Sequence, residues 1–403
     1  MKVLVVGHTA PGGVFTVGSH HLVRELAARG HQVGHLSTPV SLLHATRLKD
    51  PEVRRRAGLA VRRAHEAAPG VPGLLPLTVL PLSVGPLHTG PLALRTAVPS
   101  LRRRLAALGL ASVDVLLVDQ PLAAGVEDLV DARAVVYRST DLVESRAKLR
   151  AEQRLLRRSD ALVATSRVVL DRLRETRPDL PSLVLDNGVD FRRFADDERR
   201  DAGDRRSGVD RRSGVDRRGA DGAGQERAGG DRRVGDRRRG AVYVGAVDER
   251  FDFEALAAFA RGNPGTTVDV YGPASVPVPP LPPNVVVHGG VAYDRTPELM
   301  RHASVGLLPL HRTDLNRGRS PMKLFEYLAA GLQVVTTLPP SVSPVPPGVH
   351  VVEHPGDERA VGERALGAGV NTEGVAAARR MDWSDRALRL ERFLEGVLAG
   401  PGA

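Results

Sequence analysis

The sequence predicts an α/β protein of two successive doubly wound domains, and three observations carry that reading. Within about the first forty residues an apolar run, a glycine-containing loop, a helical segment and a second apolar run follow one another, the order of a parallel βαβ unit. The same alternation restarts at Ala241, after an interruption in which apolar residues are nearly missing. A chain of 403 residues is also long enough for two domains of ordinary size, each with its own core.

The first domain is expected over residues 1–190. Residues 2–7 form a short apolar run ending in Gly7, a first strand and not a signal peptide. Residues 17–29 follow as a helix with Leu22, Val23 and Leu26 facing inward, stopped by Gly30-His31, and residues 32–37 are the second strand. The loop between them places Gly12 and Gly13 side by side, where a backbone could approach a ligand closely. It lacks the GxGxxG spacing, and Ser37-Thr38-Pro39 stands where an acidic residue would meet a dinucleotide ribose, so a nicotinamide-dependent oxidoreductase is poorly supported. Residues 70–100, rich in Pro, Leu and Gly, read as a long loop near the C-terminal edge of the sheet. Strands at 113–118, 134–137, 161–165 and 182–185, with helices at 149–158 and 168–175, complete the domain.

Residues 197–239 carry fourteen Arg and ten Asp or Glu, with Asp-Arg-Arg recurring five times. Such a segment cannot bury enough apolar surface to offset its ordering entropy, and it is expected to be a disordered linker with no chemistry of its own. The second domain is expected over 240–380, with strands at 241–244, 267–271, 285–288 and 305–309 and helices at 253–260 and 297–302. The tail, 381–403, holds an amphipathic helix with Leu388, Leu390, Phe393, Leu394 and Val397 as its apolar set, packing back toward the first domain.

Composition narrows the function classes. Cysteine is absent, so there is no disulfide or thiolate metal site, and a cytoplasmic location suits the chain. No run of eighteen apolar residues spans a membrane. The net charge is +10, and outside the linker much of it sits in Arg54-Arg55-Arg56, Arg62-Arg63 and Arg102-Arg103-Arg104. These clusters suit either solvated helix faces or the inner face of the plasma membrane. Aromatics are 3% of the chain and do not interleave with the basic residues, which argues against nucleic acid.

The most informative run is Ser320-Pro321-Met322-Lys323-Leu324-Phe325-Glu326-Tyr327-Leu328-Ala329-Ala330-Gly331. Ser-Pro opens a helix, Leu324, Tyr327 and Leu328 form an apolar stripe, and Gly331 stops it. A lysine at the free N-terminus of a helix makes an anion site, and Glu326, one turn past Met322, could accept from ribose hydroxyls. An ordinary amphipathic helix with a surface Lys and Glu fits the same spacing.

This run resembles the S-P-x-K-x-x-E-Y-L-A-x-G signature of bacterial glycosyltransferases of the type-1 and type-4 kind. Supporting likenesses are Asp160 through Ser166, Asn187-Gly188-Val189-Asp190, Val244-Gly245, Pro309-Leu310 and Trp383-Ser384. The front end, Val17-Gly18-Ser19-His20-His21-Leu22 with Gly30-His31, is similar to the glucuronosyltransferases of xanthan-type polysaccharide assembly. The resemblance implies a GT-B architecture, two Rossmann-like domains facing each other across a cleft. The donor would bind the second domain and the acceptor the first. Lys323 would then take the donor diphosphate, Glu326 the ribose and Met322 the nucleotide pocket. The Gly245 loop with Arg250 would approach the phosphates, and Ser320 belongs to the same donor-binding set. Asp141, after Tyr137, matches the place of the general base in the glucuronosyltransferase-like group; a helix cap built from Thr140 or Asp141 with Glu144 fits as well. Gly12, Gly13, His20 and His21 are acceptor-side candidates.

Two departures bear on mechanism. Retaining type-4 enzymes carry E-x7-E across the signature, and the position eight before Glu326 is Gly318, which favours inversion. No Asp-x-Asp is present, so no metal or other cofactor is expected, and cations and helix N–H groups would meet the diphosphate. The expected activity is glycosyl transfer from a nucleotide-sugar donor, a UDP-sugar with UDP-glucuronate among the candidates. The acceptor would be a glycan, lipid-linked or small molecule. A non-catalytic nucleotide-sugar-binding scaffold is the alternative from another class.

Overall fold

The computed structural model describes residues 1–13, 16–195 and 240–400. The Arg/Asp-rich segment 197–239, read from the sequence as a disordered linker, lies outside the described residues. In the first domain the strands are β1 (Lys2–Gly7), β2 (Gln32–Ser37), β3 (Val40–Ser41), β4 (His65–Ala68), β5 (Val71–Leu74), β6 (Leu77–Thr78), β7 (Ser83–Val84), β8 (Leu87–His88), β9 (Ser112–Val118), β10 (Asp131–Ser139), β11 (Ala161–Ala164) and β12 (Ser182–Val184). Eight of them make one sheet, ordered β12-β11-β10-β9-β1-β2-β5-β4, parallel throughout except for β4 against β5.

Strands such as β1 and β9 are apolar on both faces because helices cover both sides of a parallel sheet. Leu4, Val6, Leu116 and Val118 point into one buried cluster, while Val3, Val5, Val115 and Leu117 point into another. That period of two is the pleat of the strand expressed as two cores.

The second domain repeats the plan with β13 (Gly240–Val244), β14 (Thr267–Tyr271), β15 (Val285–Gly289), β16 (Val305–Leu308), β17 (Gln333–Thr336) and β18 (Val349–Val351), ordered β15-β14-β13-β16-β17-β18 and all parallel. Its two cores divide in the same way, Val242 and Val244 on one face, Ala241 and Tyr243 on the other.

Segment 70–100 differs from the expected loop. It supplies β5 to the main sheet, β6 as the parallel partner of β3, the β7–β8 hairpin and a short helix, Gly90–Arg95. Runs of two to four residues are too short to reveal a period, so only tertiary pairing identifies them as strands.

The chain crosses between domains twice, and the crossings run side by side. Val189 donates its N–H to Met381 O (3.0 Å) and accepts from Trp383 N–H (3.1 Å). The C-terminal helix, Trp383–Ala399, then packs on the first helix, Gly18–Ala28, with Trp383, Ala387, Leu390 and Leu394 joining Leu22 and Leu26 in the first domain's core. Asp382 caps it by accepting from Ser384 N–H at 2.9 Å.

Candidate active site

A cavity of about 430 Å³ lies where the C-terminal ends of the two sheets face each other, the usual location for ligands of open parallel sheets. The first domain contributes His8, Thr9, Gly18, Asp119, Arg138, Thr140, Asp141 and Asn187; the second contributes Tyr243, Gly245, Asp248, Arg250, Tyr293, Arg319, Ser320, Met322, Lys323 and Glu326.

The signature helix, Met322–Ala329, follows Pro321 and gives way at Ala330 to Gly331, whose φ is +74°. It is not the surface amphipathic helix its spacing also allowed. Leu324, Phe325, Tyr327, Leu328 and Ala329 are all buried, and the half-buried Met322 and Lys323 stand at its open N-terminal end. The Lys323 ammonium donates to the Tyr243 hydroxyl at 2.9 Å and lies 4.4 Å from the centre of that ring. Gly245, with φ +153°, makes this path open, since a Cβ there would sit 2.2 Å from Lys323 Cε and Nζ.

Glu326 is buried directly behind. The Tyr293 hydroxyl donates to its carboxylate at 3.1 Å, and burial pushes its carboxyl up to about 7, against the opposing pull of Tyr293 and Lys323. Ser320 also lines the cavity. Its hydroxyl accepts from Asn187 N–H at 3.0 Å and its carbonyl accepts from Asn187 Nδ2 at 2.7 Å, tying the start of the signature to the first domain. Arg250 lines the cavity, with Nε 3.0 Å from both carboxylate oxygens of Asp248.

Across the cleft Asp141 is not a helix cap. The following helix, Arg146–Arg158, is capped by Ser145, whose hydroxyl accepts from Lys148 N–H at 3.3 Å. Asp141 instead presents a 46% exposed carboxylate, with Arg319 Nε of the other domain 3.5 Å away.

The acceptor-side candidates divide away from the cavity. Gly12 and Gly13 pack toward Arg55, which donates to Pro11 O at 2.9 Å. His20 Nε2 lies 3.0 Å from Thr9 O. His21 stacks on Trp383 with ring centroids 4.9 Å apart, and burial takes its imidazole down to about 3. Neither histidine lines the cavity.

Sequence reasoning missed the cavity floor. Arg138, fully buried, donates to Asp119 at 2.6 Å and to Asn187 Oδ1 at 3.2 Å, and burial raises the Asp119 carboxyl despite its partner. His8, held low by burial, lies 3.1 Å from Gln120 Nε2 and 3.4 Å from Thr140 Oγ1. Their common signal is position: each follows or ends a strand at the cleft edge. Among the described residues no three His, Cys, Asp or Glu side chains stand together as a metal-ligand set.

Comparison with known proteins agrees with this geometry. Residues 250–365 match the family described as glycosyl transferase-like. Along its whole length the chain superposes on a glycosyltransferase from Rickettsia africae ESF-5 (TM-score 0.55, 11% identity, 100% of this chain and 99% of that one). AviGT4, a glycosyltransferase involved in avilamycin A biosynthesis, gives TM-score 0.54 at 18% identity over 99% and 98%. The chain has the GT-B glycosyltransferase fold. OtsA shares it, with TM-score 0.58 at 11% identity over 98% of each chain. In sequence, 135 residues are 33% identical to TuaH of Bacillus subtilis (strain 168), named as a teichuronic acid biosynthesis glycosyltransferase. That match takes in 31% of this chain and 34% of TuaH, so the chain spans about a third of the length of that curated relative.

Proposed function

We propose that this GT-B chain transfers a sugar from a nucleoside-diphosphate donor, a UDP-sugar, to a hydroxyl of a glycan or lipid-linked acceptor, with inversion and without a metal. The observation that carries the reading is an opposition of charge. Asp141 faces the cavity from the first domain, and Arg319 and Lys323 face it from the second, Lys323 at the N-terminus of a buried helix.

Asp141 accepts the proton of the acceptor hydroxyl as its oxygen forms a bond to the anomeric carbon. The bond from that carbon to the β-phosphate oxygen breaks, and the electron pair leaves with the nucleoside diphosphate. Lys323, Arg319 and the first N–H groups of the signature helix stabilise the departing charge. Glu326, one turn along the helix from Met322, accepts from the ribose hydroxyls. Support for inversion comes from Gly318, where a Cβ would lie 3.0 Å from Leu142 Cγ of the first domain, leaving little room for a carboxylate. The teichuronic acid assignment of TuaH supports a polysaccharide product, and puts UDP-glucuronate in the donor panel.

The test is transfer from a panel of labelled UDP-sugars by the purified chain, with Asp141→Asn and Lys323→Ala alongside. Asp141→Asn is expected to lower kcat/KM by about 10²- to 10⁴-fold while UDP binding persists, and Lys323→Ala to weaken UDP binding itself. Full transfer by Asp141→Asn removes the base from the scheme. UDP binding with no transfer from any donor favours a binding protein instead.

A further inference from the structure

The first domain carries an apolar, basic surface beside the cleft that the transfer reaction does not use. β3 runs parallel to β6 with Val40 opposite Leu77 and Ser41 opposite Thr78, so Leu42-Leu43 and Val79-Leu80 leave the pair side by side. These four side chains are 54%, 63%, 46% and 39% exposed. The backbone of Val79 and Leu80 is held by the Thr96 side chain, whose Oγ1 accepts from both N–H groups, at 3.2 and 3.4 Å.

Basic residues follow Leu42 and Leu43 along the chain. Residues 42–63 hold seven Arg or Lys against two Asp or Glu, and Arg47, Lys49 and Arg54 are exposed next to the exposed Leu48. Arg54 is held there by its hydrogen bond to Leu48 O at 3.3 Å. The inward-facing Arg55 of the same segment braces the loop carrying Thr9, which lines the cavity.

We infer that this surface docks on an anionic lipid bilayer, with the leucines entering the headgroup–acyl boundary and the arginines and lysine meeting lipid phosphates. Exposed leucines followed in the same segment by exposed Arg and Lys are the chemistry of interfacial attachment. A second copy of the chain fits poorly, because self-pairing would set one net-positive surface against another. Among the described residues no helix is long and apolar enough to cross a membrane, so attachment here is to the surface of the bilayer. The inference does not depend on the transfer reaction: vesicle binding reads this surface and not the donor site.

Flotation of the full chain with phosphatidylcholine vesicles, with and without phosphatidylglycerol, tests it. Binding is expected only with the anionic lipid and falls as salt rises. Leu43→Ser with Leu80→Ser should lower the partition coefficient by roughly tenfold or more. Arg47→Ser with Lys49→Ser should lower it by roughly fivefold per charge removed. Both pairs should keep the wild-type melting temperature and UDP affinity; if the leucine pair does not fold, the basic pair decides alone. No binding to anionic vesicles overturns the inference. So does binding that both pairs leave unchanged, which would place the contact elsewhere, the arginine-rich 197–239 included. A protein dimer that the leucine pair dissociates overturns it as well.

Discussion

Replacing Glu326 by Gln removes one buried titration, and the sign of its effect on stability follows from the site. Glu326 is 6% exposed, and its carboxyl stands at about 7, against 4.5 ordinarily, because burial disfavours the charge more than Tyr293 and Lys323 favour it. The folded chain therefore holds a proton that the unfolded chain releases. The stabilisation is fully present below about 4.5 and is lost as pH rises through about 7, a difference on the order of 3 kcal/mol. Urea unfolding of wild type and Glu326→Gln at pH 5 and pH 8 measures it. Wild type should lose more stability across that window than the variant, by on the order of 3 kcal/mol, and the variant should be the more stable protein at pH 8. Donor binding moves the other way, since a carboxylate accepting ribose hydroxyls makes charge-assisted hydrogen bonds. UDP affinity in Glu326→Gln should fall by on the order of tenfold at pH 8. Parallel pH profiles for the two proteins would show that Glu326 does not titrate in this window and would refute the reasoning.

Gly245→Ala puts a methyl group into the path of Lys323 at a φ that L-residues rarely adopt, and UDP affinity measured by calorimetry should fall by about tenfold or more. Unchanged affinity would mean that Lys323 does not reach the donor along this route. Arg138→Met leaves Asp119 buried without its partner and should cost about 3–5 kcal/mol, much of which returns in Arg138→Met with Asp119→Leu; a double variant as unstable as the single would refute the pairing. Trp383→Ala opens a void between the C-terminal helix and the first domain and should cost about 3–5 kcal/mol, read by hydrogen exchange as lost protection in Gly18–Ala28. Protection lost only in the second domain would contradict that packing.

The parts of the site that lie close together in sequence were legible there. Lys323 and Glu326 sit on one helix with a spacing that fixes their geometry, and the alternation of apolar runs gave both sheets. What stayed hidden depends on contacts between distant segments. Nothing near Gly245 announces that Lys323 must pass over it, and nothing near Asp119 names Arg138 as its partner. Thr140 and Asp141 fit the same cap rule that Ser145 meets, because Ser, Thr and Asp near a helix start all satisfy it; the backbone decides among them. Nor does anything near His21 name Trp383, hundreds of residues later, as the ring stacked on it. Strands of two to four residues in 71–88 carry no period, and only their partners reveal them.

These long-range contacts also explain how two independent sheets present one site. Asn187 is the junction. Its Oδ1 accepts from Arg138, whose guanidinium is held by Asp119, while its N–H and Nδ2 donate to the hydroxyl and carbonyl of Ser320. Ser166 adds a second tie, donating to Gly318 O at 2.7 Å. A buried ion pair at the floor of the first domain is thereby connected to the residue two before the signature helix begins. The paired crossings at Val189 and Met381 lie next to this junction, since Val189 follows Asn187 by two residues. The Asp141–Arg319 contact, at 3.5 Å, crosses between the domains beside the Ser166–Gly318 tie, because Arg319 follows Gly318. The proposed base of one domain and the cation of the other are therefore set against each other by the same ties that fix the start of the donor helix.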